Sequence, residues 1–186
     1  MKATVISDKE FQTELFQKIK ESTYAFLNDK GFDTELINIG EEDLAYCMGC
    51  FGCWVKKPGE CVIDDMMSQI NRSFVNSDLV IYLSPVVFGH FSANIKKVLD
   101  RWLPNILPFF ETRSDGSTMH PSRYDSIPRE VIIGYGEELS DGDVKLFIDI
   151  TRKHRYNIEV LIYQGDGAGI AGALGKADSG RVSGQS

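Results

Sequence analysis

The sequence predicts an α/β fold in which a parallel sheet carries helices on both faces, and two observations lead there. Five short runs rich in valine, isoleucine and leucine recur along the chain, and segments with helical spacing fall between them. A chain of 186 residues with 42% hydrophobic and 25% charged residues is long enough for one sizeable core and hardly for two. Residues 1–163 are therefore expected to form one domain. Right-handed crossovers bring the carboxyl ends of parallel strands to one edge, and a ligand is expected outside that edge, where the strand order reverses.

The first strand is Ala3-Thr4-Val5-Ile6, whose apolar character suits a strand buried on both faces. Leu15, Phe16, Ile19, Thr23, Phe26 and Leu27 then repeat at helical spacing, and Gly31 offers a left-handed stop. Residues 34–39 read as the second strand, ended by Gly40. Met66, Met67, Ile70 and Phe74 mark the next helix, with Asp64 and Asp65 read as caps of its N-terminus and not as catalytic groups. The clearest strand is residues 78–84, which opens into Pro85-Val86-Val87-Phe88-Gly89-His90-Phe91, read as a loop before a helix over about 92–103. Residues 104–128 break into prolines, aromatics and polar residues, with residues 112–118 as the tip. A connection of that length is expected to be a lid, a binding loop or an interface element. A strand at 130–135, a helix at 143–156 and a strand at 158–163 complete the alternation. Residues 164–186 open with a glycine-rich run, and each glycine in a helix costs about 1 kcal/mol relative to alanine. They are expected to form a flexible tail and not a covering helix.

The formal charge of −7 argues against a nucleic-acid surface, since lysine and arginine occur only in short scattered groups. The apolar runs are too short to span a membrane, and the opening residues lead into a charged segment and not a signal-peptide cleavage site, so a cytoplasmic protein is expected. In that reducing setting, clustered cysteines point to metal or redox chemistry before disulfides. All of them fall in residues 47–61, as Cys47, Cys50 and Cys53 at successive third positions and Cys61 after a Pro58-Gly59 turn. Two readings stay open: thiolates converging on one metal centre, or reduced thiols packed in a surface loop. The first three positions suit a four-iron cluster, while the longer gap to Cys61 favours plain thiols; zinc is the minor alternative, since its paired spacing is missing.

Residues 47–66 and the pattern Ser84-Pro85-Val86-Val87-Phe88-Gly89, followed by Ser92-Ala93 and Leu99-Asp100-Arg101, resemble the flavodoxin-like NAD(P)H-dependent FMN reductases, and the cysteine loop resembles that of the related iron–sulfur flavoproteins. The resemblance implies a three-layer sandwich with a five-stranded parallel sheet in the order 2-1-3-4-5. It implies FMN at the carboxyl ends of strands 1, 3 and 4. Ser84, Pro85, Val86, Val87, Phe88 and Gly89 would then wrap the flavin ring, with Gly89 letting the backbone approach it. Gly134, Tyr135 and Gly136 match the other loop beside the ring, where the tyrosine is expected to stack. A 4Fe-4S cluster on Cys47, Cys50, Cys53 and Cys61 is the further implication.

The chain departs from that family after strand 1, where relatives carry a glycine-containing phosphate loop and this chain has Ser7-Asp8-Lys9-Glu10-Phe11-Gln12-Thr13. Ser7, Lys9 and Thr13 remain as candidate phosphate contacts, while Asp8 and Glu10 oppose an FMN dianion. No triad or paired-carboxylate constellation is readable, and a flavoenzyme needs none, because the cofactor carries the chemistry. The expected activity is transfer of electrons from NAD(P)H to a quinone, flavin or other small acceptor. The alternatives are an electron-transfer protein with a ferredoxin-like partner and a non-catalytic relative that has lost flavin. The apolar, proline-broken residues 102–110 suggest a homodimer or higher oligomer.

Overall fold

The computed structural model describes residues 1–114, 116–155, 158–165 and 169–179. Its centre is β1 (Lys2–Asp8), buried along its whole length after Lys2. The parallel strands stand in the order β2-β1-β3-β7-β8, with β2 at Asp33–Ile39, β3 at Leu79–Val87, β7 at Arg129–Tyr135 and β8 at Glu159–Tyr163. This is the expected 2-1-3-4-5 order, because β4 (His90–Phe91) only folds back antiparallel on β3, and β5 (Glu111–Thr112) pairs with β6 (Thr118–Met119) apart from the main sheet. Register is fixed by two-sided burial: Val5 lies between Leu36 and Ile81, and Ile81 faces Val131.

Alternate residues of each strand feed two cores. Val5, Ile81 and Ile133 pack under α1 (Glu14–Asp29) with Phe16, Ile19 and Leu27. Ile6, Tyr82 and Ile132 pack on the other side with residues of α3 (Met67–Val75), α4 (Ala93–Asp100) and α5 (Asp141–His154). The result is a three-layer sandwich. The short α2 (Gly52–Val55) belongs to the cysteine loop.

Side-chain caps set the starts of three helices. Thr13 accepts from the Phe16 N–H, Ser92 from the Ile95 N–H, and Ser140 forms a reciprocal capping box with Asp143, which begins α5 two residues before the expected start. The expected far end of that helix, Tyr156, lies outside the described residues. Gly31 takes the left-handed conformation at φ 71° just past α1, as its place in the sequence predicts.

Two expectations need correction. The third strand does not stop at Ser84: β3 runs on to Val87, and Pro85 is tolerated because it sits at the very end of the β3–β7 ladder, opposite Tyr135. The segment after Gln164 is not wholly a flexible tail, since α6 spans Ile170–Ser179 and lies against α1. Ile170 and Leu174, one turn apart, are fully buried in the α1-side core, and that burial offsets the glycines' helical penalty. A Cβ on Gly175 would sit 3.9 Å from the Phe26 ring, an ordinary van der Waals contact, so the packing of the two helices does not require glycine there. The remainder of the expected tail, residues 180–186, lies outside the described residues. Leu174→Ala is expected to lower stability by about 2–4 kcal/mol in urea unfolding, whereas a frayed segment would show no change.

Candidate functional site at the carboxyl edge and the cysteine loop

The switch in strand order falls between β1 and β3, so the loops after β1, β3 and β7 define the edge where such sheets hold ligands. A hollow of about 530 Å³ opens at the opposite end among Lys2, Asp33 and Arg72, away from that edge.

β3 turns into β4 through two residues only. Val87 pairs with His90, which leaves Phe88 and Gly89 at the tip with φ of 51° and 70°. Both positive values mark a type I′ turn, and a phenylalanine held there is strained on the order of 1 kcal/mol. Its ring is 93% exposed. Of the six residues expected to wrap a flavin ring, Ser84 and Pro85 are buried in the strand, Val86 and Val87 are half-buried beside β4, and Phe88 with Gly89 alone form the loop. A Cβ on Gly89 would come within 2.8 Å of Leu146. That glycine serves the turn and the close approach of α5.

At the end of β7, Gly134 lies under Phe147 and Ile162, and Gly136 is closed off by Leu139. Tyr135 does not stand at the tip, as ring stacking requires. It is 2% exposed, packs on Phe16 with ring centroids 5.9 Å apart, and donates its hydroxyl to the Phe11 carbonyl at 3.3 Å. Burial, then the nearby Asp8 carboxylate, push that hydroxyl well above the ordinary tyrosine range.

At the end of β1 the expected phosphate contacts are largely engaged elsewhere. Ser7 is buried and donates to Asn38 Oδ1 at 2.6 Å, and the Thr13 hydroxyl accepts from the Phe16 N–H at 3.1 Å. Lys9 alone is exposed and cationic. Asp8 is fully buried; its Oδ1 accepts from the Glu10 N–H at 2.9 Å and from Asn94 Nδ2 at 3.1 Å, and its Oδ2 has no hydrogen-bond partner. The exposed turn at the end of β3 suits a flat aromatic ring, whereas residues 7–13 as they stand do not fit a phosphate dianion.

The cysteine loop is built around a residue that local sequence reading missed. Cys47, Cys50, Cys53 and Cys61 line one small pocket of about 20 Å³ together with Arg101, Leu103 and Pro104. Cys47 and Cys50 are exposed, Cys61 half-buried and Cys53 buried. Burial and then the neighbouring Cys61, Cys47 and Cys50 push the Cys53 thiol up, which marks the thiols as one group. Arg101, 1% exposed, donates through Nη1 to the Ala45 carbonyl at 3.1 Å and to Asp65, and through Nη2 to Cys61 Sγ at 3.2 Å and the Ile63 carbonyl at 3.5 Å. It thereby pins both ends of the loop. Asp65 also accepts from the Ala45 N–H and from the Met67 N–H at the first position of α3, each at 3.0 Å. The cap position is Met66, which makes no side-chain cap bond, so the expected capping by Asp64 and Asp65 is met only by this one bond from Asp65.

Trp54 stacks on Phe51, whose φ of 52° opens α2, and donates to the Leu103 and Ile106 carbonyls at 3.0 and 3.1 Å. The long connection after α4 thus packs on the cysteine loop. None of residues 84–89 lines the cysteine pocket, so the two candidate sites are separate within one chain. Among the described residues no group of three or more cysteine, histidine or acidic side chains stands in coordinating geometry. The four thiols nonetheless line one cavity, and four thiolates are the donor set of a 4Fe-4S centre.

Together these features define an α/β domain with a ligand edge at the strand carboxyl ends and a separate four-cysteine loop. Residues 9–110 match the NADPH-dependent FMN reductase family, and the chain belongs to that family. Membership supports FMN as the cofactor. An iron-sulfur flavoprotein of Archaeoglobus fulgidus is 37% identical over 87 residues, covering 47% of this chain and 39% of that protein. One from Methanosarcina thermophila is 32% identical over 101 residues, covering 54% and 52%. The chain thus matches only about half, or less, of the length of these relatives. The NAD(P)H:quinone oxidoreductase of Methanothermobacter marburgensis shares the fold at a TM-score of 0.62 and 10% identity, covering 96% of this chain and 92% of that one. An azoreductase of Bacillus anthracis does so at 0.60 and 12%, covering 95% and 96%. No helix among the described residues is long and apolar enough to cross a membrane.

Proposed function

We propose that this protein is a flavin-dependent NAD(P)H oxidoreductase that reduces a quinone or another small acceptor, with the four cysteines as a 4Fe-4S centre. The observation that carries the flavin part is the strained Phe88-Gly89 turn, which holds a 93% exposed aromatic ring at the carboxyl end of β3. Phe88 would cover the flat face of an isoalloxazine and exclude water, while the N–H groups of the turn would meet its polar edge. When bound, a flavin supplies the acceptor for hydride from NAD(P)H and the donor for the quinone. The balance is NAD(P)H plus a proton plus quinone giving NAD(P)+ plus hydroquinone.

The cysteine pocket favours the companion role of an electron-transfer protein with a ferredoxin-like partner, in keeping with the names of the iron-sulfur relatives. Cys47, Cys50, Cys53 and Cys61 would supply the thiolates, with Phe51 and Trp54 shielding them. Arg101, donating to Cys61 Sγ, would favour the reduced state by adding positive charge next to the sulfur. Phe109 and Phe110 are 64% and 71% exposed, and self-association would cover them.

The test is anaerobic oxidation of NADH and NADPH by flavin-loaded protein with a quinone as acceptor. Turnover that falls at least tenfold in Phe88→Asp, with the fold retained, is the expected result. Absence of turnover with either nucleotide contradicts the proposal.

A further inference from the structure

We infer that the edge beside β1 selects a flavin whose ribityl chain ends in a hydroxyl, as in riboflavin, over the phosphorylated form, because the buried Asp8 carboxylate stands in the loop where an α/β sheet would receive a phosphate. This rests on the flavin reading above and specifies its ligand.

A phosphate after the first strand is held by free N–H groups at the start of the following helix. Here the chain uses part of that set, and of the segment before it, itself. The Glu10 N–H goes to Asp8 Oδ1, the Lys9 N–H to the Ile39 carbonyl at 2.9 Å, the Phe16 N–H to Thr13 Oγ1, and the Gln17 N–H to the Thr13 carbonyl at 3.1 Å. The charges gathered there are Asp8, Glu10, Glu14 in the first turn of α1, and Asp43, whose Oδ2 accepts from the Gly40 N–H at 2.8 Å; Lys9 is the cation among them. A dianion would meet an excess of like charge.

The orphaned oxygen supplies the positive half of the argument. Asp8 is 0% exposed, and its Oδ2 has no donor. A buried carboxylate oxygen without a hydrogen bond is an acceptor that a ligand donor can satisfy. A ribityl hydroxyl is such a donor, whereas a phosphate dianion offers acceptors only. The loop therefore rejects the phosphate and complements the alcohol with the same atom.

The experiment titrates riboflavin and FMN separately into flavin-free full-length protein at low salt, following quenching of flavin fluorescence. Wild-type protein is expected to bind riboflavin at least tenfold more tightly than FMN. The difference should shrink as salt is raised, because screening weakens the charge repulsion and leaves the neutral ligand unaffected. Asp8→Asn should narrow or reverse the preference, since the amide removes the charge and adds a donor. The wild-type comparison decides the matter even if that variant fails to fold. Binding of FMN as tightly as riboflavin overturns this inference and leaves the flavin reading standing; binding of neither overturns both.

Discussion

Replacing Arg101 with methionine should lower the stability of the domain by about 3 kcal/mol, as expected when one member of a largely buried ion pair is removed. The guanidinium is 1% exposed and joins Asp65, Cys61 and the carbonyls of Ala45 and Ile63, so its loss frees both ends of the cysteine loop at once. Arg101→Lys restores charge without the planar fork and should recover only part of the loss. The variant also has a pH signature. Burial would push the Asp65 carboxyl up, but hydrogen bonds from Arg101 and from the Ala45 and Met67 N–H groups, with the guanidinium charge, hold it below the ordinary aspartate range. A depressed carboxyl contributes stability that is present above the unfolded aspartate value and lost as pH falls through the folded one. Urea unfolding of the wild type should therefore weaken across that acid window, and Arg101→Met should flatten this part of the profile.

Cys50→Ser is expected to abolish iron binding while sparing flavin. If the four thiols hold a cubane, protein prepared without oxygen should contain about four irons per chain, and a single serine should remove them, because the cluster uses four thiolates. Flavin affinity should stay unchanged, since no residue of the β3 turn lines the cysteine pocket. Iron assay and flavin titration on the same preparation check both halves. Wild-type protein without iron would return the loop to the plain-thiol reading.

The strands themselves were legible because the central ones are buried on both faces, which writes near-continuous apolar runs such as Val5-Ile6 and Val80-Ile81 into the chain, whereas their order came from the family resemblance alone. The α6 helix was hidden by its glycines, since the Ile170 and Leu174 contacts that stabilise it are made with a helix at the far end of the sequence. Tyr135 follows a strand and precedes a glycine, a pattern that suits a displayed ring equally well; only packing against Phe16 and the bond to Phe11 turn it inward. The opposing charge of Asp8 was readable, but its burial, its bond from Asn94 in α4 and its unpaired Oδ2 belong to the tertiary structure. Arg101 shows in the sequence as a basic residue after a helix, and its reach to residues 45–65 belongs to the tertiary structure alone.

The most direct test is the visible absorption spectrum, with flavin and iron content, of full-length protein purified without oxygen and then mixed with NADPH. The account predicts flavin bands over a broad iron–sulfur absorbance, both bleached by the nucleotide and restored by a quinone. Colourless protein that holds neither flavin nor iron after reconstitution, and leaves NADPH unoxidised, would contradict it.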